Sequence, residues 1–545
     1  MPNTLDFPSI RGWIKSCKSH HGGSCEDKTH TGVGPKILID CRERQLCSNV
    51  GSPYACLSYV WGALEVPIHR LSGDVLPEVL PQTVSDAMAV TLRIGLRYLW
   101  IDRYCIDQSD AEAKHDAILN MDIIYRGAEL TIIAASGTGP DHGLPGVSKA
   151  RAPRPILTIG SHTLVATEHP RREIEFSKWS TRGWTYQEVL LSSRRLVFTD
   201  TQVYFQCKSS YTLEGWGRPQ EALSRNSRLM LAAFPEISGI SRVSSVYSRL
   251  EEYYRRELSY QSDIIDAFTG IFRALQSLQQ HGSGPRANHF YGIPIIYNRP
   301  QDGSNKGILI NAEFSFGLGL AWKVHHQSFN FARFNRLGQP IMSGDQTLYR
   351  LPVPQNPFPS WTWAAFKASQ PHSDPGQLSF PFQRVPGDEG KDDDYLEVNI
   401  FHNSGVKMSL RQYLLKGEDY INFRPVMEIT ALVISGWLTL DRHGTIGYSA
   451  FPGYVLHLHD PPESIENKLM AICVGSAGRD NTADYPVVII VEEVETEPGA
   501  IPEYRHIGIC PWSKGFIGKA ARPSTTSLEV MSKGSPWHRQ TLRLV

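Results

Sequence analysis

Between Pro53 and Ser136 the chain alternates strand and helix signals, and this alternation restricts its fold more than any other feature. Tyr54 to Tyr59 reads as a strand, and Thr83 to Ile94 reads as a helix with Ala87, Val90, Thr91 and Ile94 on one buried stripe. Gly95 ends that helix, Arg97 to Ile101 is a second strand, and Asp110 to Arg126 is a second helix packing through Ile118, Met121 and Tyr125. Leu130 to Ala135 is the third strand. A β-α-β-α-β order favours parallel strands with helices over both faces, because right-handed crossovers return each strand in the same direction. The expected fold class is therefore α/β, with an open, largely parallel sheet flanked by helices. In such sheets ligands collect beyond the carboxyl ends of the strands. Those ends carry Ser58 with Tyr59, then Asp102, then Ser136. A hydroxyl satisfied by backbone at Ser58 and a turn-capping carboxylate at Asp102 are the structural alternatives.

Further along come a short strand near His162 to Val165 and a helix bearing Trp184 and Glu188. A hairpin of Arg195 to Thr199 and Val203 to Cys207 then turns at Asp200-Thr201. The expected divisions are an N-terminal segment 1–50, an α/β domain 51–210, a mainly helical or mixed extension 211–385 and a β-rich region 395–545, together a mixed α+β C-terminal half. At 545 residues the chain exceeds what one core supports. Lys+Arg and Asp+Glu are equal at 55 each, which removes the electrostatic case for nucleic acid or an anionic membrane as partner. No run approaches the roughly 20 apolar residues of a membrane span, and residues 1–14 lack a signal pattern. The nine Cys are odd in number and sit among apolar neighbours, as in Ala55-Cys56-Leu57, which suits buried thiols without structural disulfides and a cytoplasmic location. The chain has no phosphate-loop motif, which excludes a nucleotide-driven assembly module built on one.

Three segments carry the chemistry. They are Tyr54-x-x-Leu57-Ser58-Tyr59-x-Trp61-Gly62, then Tyr98-Leu-Trp-Ile-Asp102 with Cys105-Ile106-x-Gln108, then Arg182-x-Trp184-Thr185-x-Gln187-Glu188. In order and content they resemble the signature blocks of fungal heterokaryon incompatibility (HET) domains, with Arg103-Tyr104 and Asp107 as departures. The resemblance is strong over about 54–191. It implies a role in non-self recognition between fungal strains, with the domain as a trigger of regulated cell death. It also implies a distant, TIR/flavodoxin-like relationship to TIR domains, some of which cleave NAD. In that setting Leu57-Ser58-Tyr59 is similar to the strand that opens a TIR domain, and Trp184 to Glu188 has the spacing of the NAD-cleaving members' helix.

The residues can be weighed against that implication. At i, i+4 Trp184 and Glu188 share one helical face, so an aromatic surface and a carboxylate can meet one ligand. Breaking the nicotinamide–ribose bond builds positive charge on the ribose, and a fixed carboxylate stabilises it. Glu188 is thus the candidate catalytic group, NAD the candidate substrate with no resident cofactor, and Ser58, Tyr59, Trp61, Gly62, Asp102, Gln108, Arg182 and Trp184 the candidate pocket. The structural alternative pairs Glu188 with Arg182, Arg194 or Arg195 while Trp184 fills core. A second functional class keeps the same surface as a non-enzymatic module for self-association or for a partner protein; a third leaves the fold as a relic in a recognition locus.

Cys17, His20, His21, Cys25 and His30 offer soft and imidazole ligands, but their spacing matches no known finger and no second Cys pair follows. The expectation is a structural N-terminal segment, with Cys17, His21 and Cys25 as the weaker metal alternative. Cys105 beside Asp102 lacks a nearby His and reads as a small buried hydrophobe. Trp361 and Trp363 alternate as on a strand and point to core or interface.

Overall fold

The computed structural model describes residues 5–25, 34–62, 74–110, 114, 116–118, 120–214, 220–221, 233–234, 244–278, 286–297, 312–325, 333–334, 340–341, 348–350, 358–368, 377–380, 396–435, 438–440, 446–448, 457–458, 469–477, 485–494, 496, 501–510 and 537–545. The chain divides into two compact units. The first comprises Met1–Gly239 with Arg256–Ser259 and Asp266–Ser277, and the second comprises Ile240–Arg255, Tyr260–Ile265 and Leu278–Val545.

In chain order the first unit contains α1 (Phe7–Cys25), β1 (Ile37–Asp40), β2 (Gln45–Ser48), β3 (Tyr54–Ser58), α2 (Gln82–Arg93), β4 (Tyr98–Trp100), the single turn α3 (Asp102–Cys105), α4 (Met121–Gly127) and β5 (Leu130–Ala134). It continues with β6 (Ile156–Ile159), β7 (His162–Val165), α5 (Pro170–Glu175), α6 (Trp184–Leu191), β8 (Arg194–Phe198), β9 (Val203–Cys207), β10 (Ser210–Leu213), β11 (Gln220–Glu221) and α7 (Asp266–Leu278). Among the described residues nine strands form one sheet in the order β11-β10-β9-β8-β5-β3-β4-β1-β2.

The pairings correct the expectation of a largely parallel sheet. β3 runs parallel to β4 and to β5, and β5 runs parallel to β8, but every other neighbouring pair is antiparallel. The sheet is mixed, parallel at its centre and antiparallel at both flanks. Connection length is the reason for the pairs that follow one another in the chain. The central strands are joined by crossovers long enough to hold helices, whereas β1–β2 and β8–β9–β10 are joined by turns too short for anything but a reversal.

The helix expected over 110–126 is also interrupted. Residues 114 and 116–118 are helical, Asn120 makes a turn with its Nδ2 donating to the Asp116 carbonyl at 2.7 Å, and α4 restarts at Met121. A short amide side chain that competes for helix carbonyls explains the break. His162 to Val165 is a strand as expected, but it pairs with Ile156–Ile159 in a separate hairpin rather than in the sheet.

Two apolar layers cover the sheet. On one face α1 and α2 contribute Phe7, Ile10, Trp13, Val84, Ala87 and Met88 against Ala55, Leu57, Leu99, Ile132, Leu196 and Phe205. On the other, Met121, Ile124 and Tyr125 of α4, Leu191 of α6 and Ala274 of α7 pack on Tyr54, Cys56 and Trp100. Each large apolar side chain buried this way contributes about 1.5–3 kcal/mol. Strand alternation decides which face a residue reaches, and this places the site. Among the described residues, no helix is long and apolar enough to cross a membrane.

The second unit is dominated by long antiparallel strands, and its pairings run in a closed cycle. Phe423–Ser435 pairs with Leu469–Ala477, which pairs with Tyr485–Val494, then Glu503–Cys510, then His538–Leu544, which returns to Phe423–Ser435. Trp361 and Trp363 are fully buried, as core residues. They lie in a turn and a 3-10 segment rather than on the strand their alternation suggests, with Thr362 capping the segment through its side chain. The acidic stretch 386–394 lies outside the described residues.

Candidate functional site

β3 delivers the centre of the site. Its alternation sends Ala55 and Leu57 to the α1/α2 layer and Tyr54 and Cys56 to the α4/α6 layer, so Ser58 leaves the carboxyl end of the strand on the second face. There Ser58 Oγ donates a hydrogen bond to Glu188 Oε2, and Trp179 Nε1 donates to Ser58 Oγ at 2.7 Å. The Tyr125 hydroxyl donates to the Leu57 carbonyl at 3.5 Å and, from close by, favours the charged form of Glu188. Ser58, Glu188 and Trp179 are all buried. The hydroxyl that could have been satisfied by backbone thus bridges two side chains, Glu188 at the end of the third sequence block and Trp179 just before it.

α6 is held so that Glu188 cannot drift. At its start Thr185 Oγ1 donates to the carbonyls of Trp179 and Arg182, both at 2.8 Å, and Arg256 Nη1 donates to Arg182 O and Thr185 Oγ1 at 3.2 Å. At its end Ser192 Oγ donates to the Glu188 carbonyl at 2.6 Å and lies 2.6 Å from Thr131 Oγ1 on β5. Gly270 on α7 allows close approach, since a Cβ there would stand 2.6 Å from Gln187 Oε1 and 2.9 Å from Asp122 Cβ.

Asp102 follows β4 and faces the rim. Trp61 Nε1 donates to both of its carboxylate oxygens at 3.1 Å, and the backbone N–H of Arg103 donates to Oδ1 at 2.7 Å. Asp102 therefore opens its turn as the first residue of α3, accepts the next N–H, and also fixes the Trp61 ring. Arg182 Nη1 donates to the Tyr59 carbonyl at 2.6 Å. Gly62 completes the turn with φ +86°, and a Cβ there would meet Pro140 Cδ at 2.8 Å. That position admits only glycine without strain. Ser58 and Glu188 form the floor, while Trp61, Asp102, Arg182 and Trp184 remain partly exposed.

The carboxylates share one electrostatic environment. Burial, reinforced by the charge of Asp102, raises Glu188 to about 7, against the pull of the Ser58 hydroxyl and the Arg182 charge. Burial likewise raises Asp102 to about 6, against the Arg103 N–H, Arg182 and the Trp61 indole. Two acids whose charged forms are disfavoured near neutral pH are the pattern of groups poised for proton or charge work. The alternative of a Glu188–arginine pair is not among the described ion pairs. Arg194 turns to Glu129 and to Cys17 Sγ, and Arg195 donates to the carbonyls of Val189 and Leu190.

Of the residues expected here, Ser58 and Glu188 meet directly, Trp61 meets Asp102, and Arg182 meets the Tyr59 backbone. Gln108 turns to the carbonyls of Asp102 and Ile106, and Trp184 packs half-buried against the α4 layer. Ser136 is buried past the end of β5. Cys105 Sγ accepts the Ile101 N–H at 3.4 Å, and burial pushes its thiol up to about 12, which makes it a poor nucleophile. Trp179 and Tyr125 are the members that sequence reasoning missed. Tyr125 was visible as a stripe residue of α4, and Trp179 lies five residues before Trp184, outside the motif spacing.

The elements so assembled, from the first residue of β3 to Glu188, coincide with a known unit. Residues 54–188 match the family model of heterokaryon incompatibility protein (HET). The chain carries a HET domain. No curated protein and no solved structure matches the chain. The HET match begins at Tyr54 and ends on Glu188, so α1, β1 and β2 precede it and β8–β11 and α7 follow it, although all belong to the same compact unit. On the other face of the sheet from the HET carboxylates, Cys17, His21 and Cys25 converge with Cys207.

Proposed function

We propose that this chain acts in heterokaryon incompatibility in a fungal cytoplasm, and that its HET domain triggers regulated cell death by cleaving NAD or a related nucleotide. The observation that carries the reading is the Glu188 carboxylate, fixed by Ser58 at the carboxyl end of a central parallel strand and given no basic partner among the described ion pairs. In the reaction the bond between ribose C1′ and the nicotinamide nitrogen breaks, its electron pair leaves with nicotinamide, and water adds to C1′ with loss of a proton. Ionised Glu188 stabilises the positive charge that develops on the ribose, the role carboxylates play in glycoside cleavage. Ser58 orients that carboxylate, and Trp179 orients Ser58 in turn. Asp102, partly exposed beside Trp61, supplies an acceptor for a sugar hydroxyl, and Trp61 and Trp184 supply aromatic surface. Control by self-association or by a recognised partner protein is part of this proposal.

The test incubates purified full-length protein with NAD, alone and under crowding that promotes association, and measures nicotinamide release for the wild type and Glu188→Gln. Release by the wild type and its loss in the variant support the reading. A folded wild type that releases no nicotinamide under any of these conditions overturns it and leaves the surface as an interaction module.

A further inference from the structure

The N-terminal helix and the C-terminal hairpin of the first unit meet at a cluster of soft ligands that the HET match does not include. Cys17 and His21 are four residues apart on α1, Cys25 follows four residues later, and Cys207 is the last residue of β9. Residues at i, i+4 and i+8 share one helix face. Their ligand atoms and Cys207 Sγ all lie within 4.8 Å of one another. Cys207 Sγ stands 3.6 Å from His21 Nδ1. A tetrahedral zinc with usual bond lengths separates a sulfur from an imidazole nitrogen by about 3.5 Å and two sulfurs by about 3.8 Å. The four groups therefore need little movement to close on one ion. His20 turns away to the Ser16 carbonyl, and His30 lies outside the described residues.

The surroundings are those of a thiolate site. Arg194, itself buried, donates Nε to Cys17 Sγ at 3.1 Å, and the backbone N–H groups of Ser209 and Ser210 donate to Cys207 Sγ at 3.4 and 3.2 Å. Three thiolates and a neutral imidazole around a divalent ion leave a net charge of about −1, which the Arg194 guanidinium offsets. Donors aimed at sulfur are what stabilises a metal-bound thiolate.

We propose that Cys17, His21, Cys25 and Cys207 bind one zinc ion that staples α1 to the β9–β10 hairpin. With four protein ligands the coordination is closed, so the ion is structural and binds no substrate. Binding releases the protons of the three thiols and forms three Zn–S bonds and one Zn–N bond, with no change of oxidation state. The expectation of a purely structural N-terminal segment is thus extended. A fourth ligand, 182 residues downstream of Cys25, converts a three-residue pattern into a complete set.

The experiment uses the full-length chain. Elemental analysis after exhaustive dialysis should find about one zinc per chain, retained in Cys47→Ser and lost in Cys25→Ser and Cys207→Ser. Protein refilled with cobalt should show thiolate-to-cobalt charge-transfer bands and the visible bands of tetrahedral coordination. A strong chelator should make three further thiols reactive to a maleimide. Should the ligand variants be insoluble, the cobalt spectrum and the thiol count of the wild type decide alone. Substoichiometric zinc in protein purified and incubated with excess zinc, an octahedral cobalt spectrum, or a disulfide between any two of these cysteines would each overturn the proposal.

Discussion

The two faces of the central sheet carry polar clusters of opposite design. On the α4/α6 face, Ser58 and Asp102 at strand ends meet Glu188 on α6 with part of their rim exposed, and burial makes both carboxylates reluctant to ionise. On the α1 face, Cys17, His21, Cys25 and Cys207 converge from a helix and a hairpin, with Arg194 Nε donating to Cys17 Sγ and the Ser210 N–H to Cys207 Sγ. The first cluster holds its charge at a cost to stability, and the second, once filled, returns stability to the fold. The proposed catalytic site and the proposed staple can therefore be told apart by the sign of their coupling to folding, even though both are buried and polar.

The largest effect that could break this contrast concerns Glu188→Gln. The substitution keeps shape and a hydrogen bond to Ser58 but removes the charge, and nicotinamide release should fall on the order of 10²-fold or more. Melting at pH 7 should stay level or rise, because a disfavoured buried charge has been removed. A variant that instead melts early while cleavage per folded molecule survives would place Glu188 in the framework of the fold.

Next in size is removal of the proposed metal. Chelation should speed amide exchange over α1 and lower the melting temperature, since Trp13 and Phe205, with ring centroids 6.1 Å apart, are no longer held together by the staple. Exchange over α6 should stay slow. Equal loss of protection in both helices would mean that the two clusters are one cooperative element rather than two devices.

The pH dependence follows from the carboxylates. Glu188 is raised from 4.5 to about 7 and Asp102 from 3.8 to about 6, so between these limits the folded state binds more protons than the unfolded state. Their contribution is fully present below pH 4 and is lost as pH rises through about 7, by roughly 3 kcal/mol for Glu188 at most. Denaturant titrations of the wild type and Glu188→Gln across this range should show a shallower fall in the variant. Nicotinamide release should run the other way, rising through pH 7 as Glu188 ionises. Two parallel pH profiles would remove the assigned role of the charge.

Smallest is Trp179→Phe, which keeps an aromatic ring but removes the N–H that Ser58 accepts. A cost of about 1 kcal/mol in stability is expected. A larger drop in cleavage than in stability would show that Trp179 positions the Ser58–Glu188 pair; equal drops would make it packing alone.

Much of the carboxylate site was legible because its members cluster in short blocks whose local structure is set by nearest neighbours. The apolar run Tyr54–Leu57 ending at Ser58 and the i, i+4 spacing of Trp184 and Glu188 already place Ser58 at a strand end and Glu188 within a helix. Local pattern could not say that Ser58 would donate to Glu188, 130 residues away, nor that Trp179 would complete the chain of hydrogen bonds. It also overstated the parallel sheet, since alternation identifies strands while flank direction depends on how short the connecting turns are.

The thiol cluster marks the boundary more sharply. The sequence by itself offered Cys17, His21 and Cys25 at spacings of four within an N-terminal segment, and the helix that puts such spacings on one face is a local structure whose repeat is built into the backbone. Only the tertiary structure decided whether they had a fourth. Cys207 reaches them because β9 runs antiparallel to β8 and α1 packs across that strand through Trp13 and Phe205, long-range contacts that no residue spacing encodes. Local hydrogen bonding and side-chain period are written along the chain, whereas the pairing of distant groups depends on which faces are buried together.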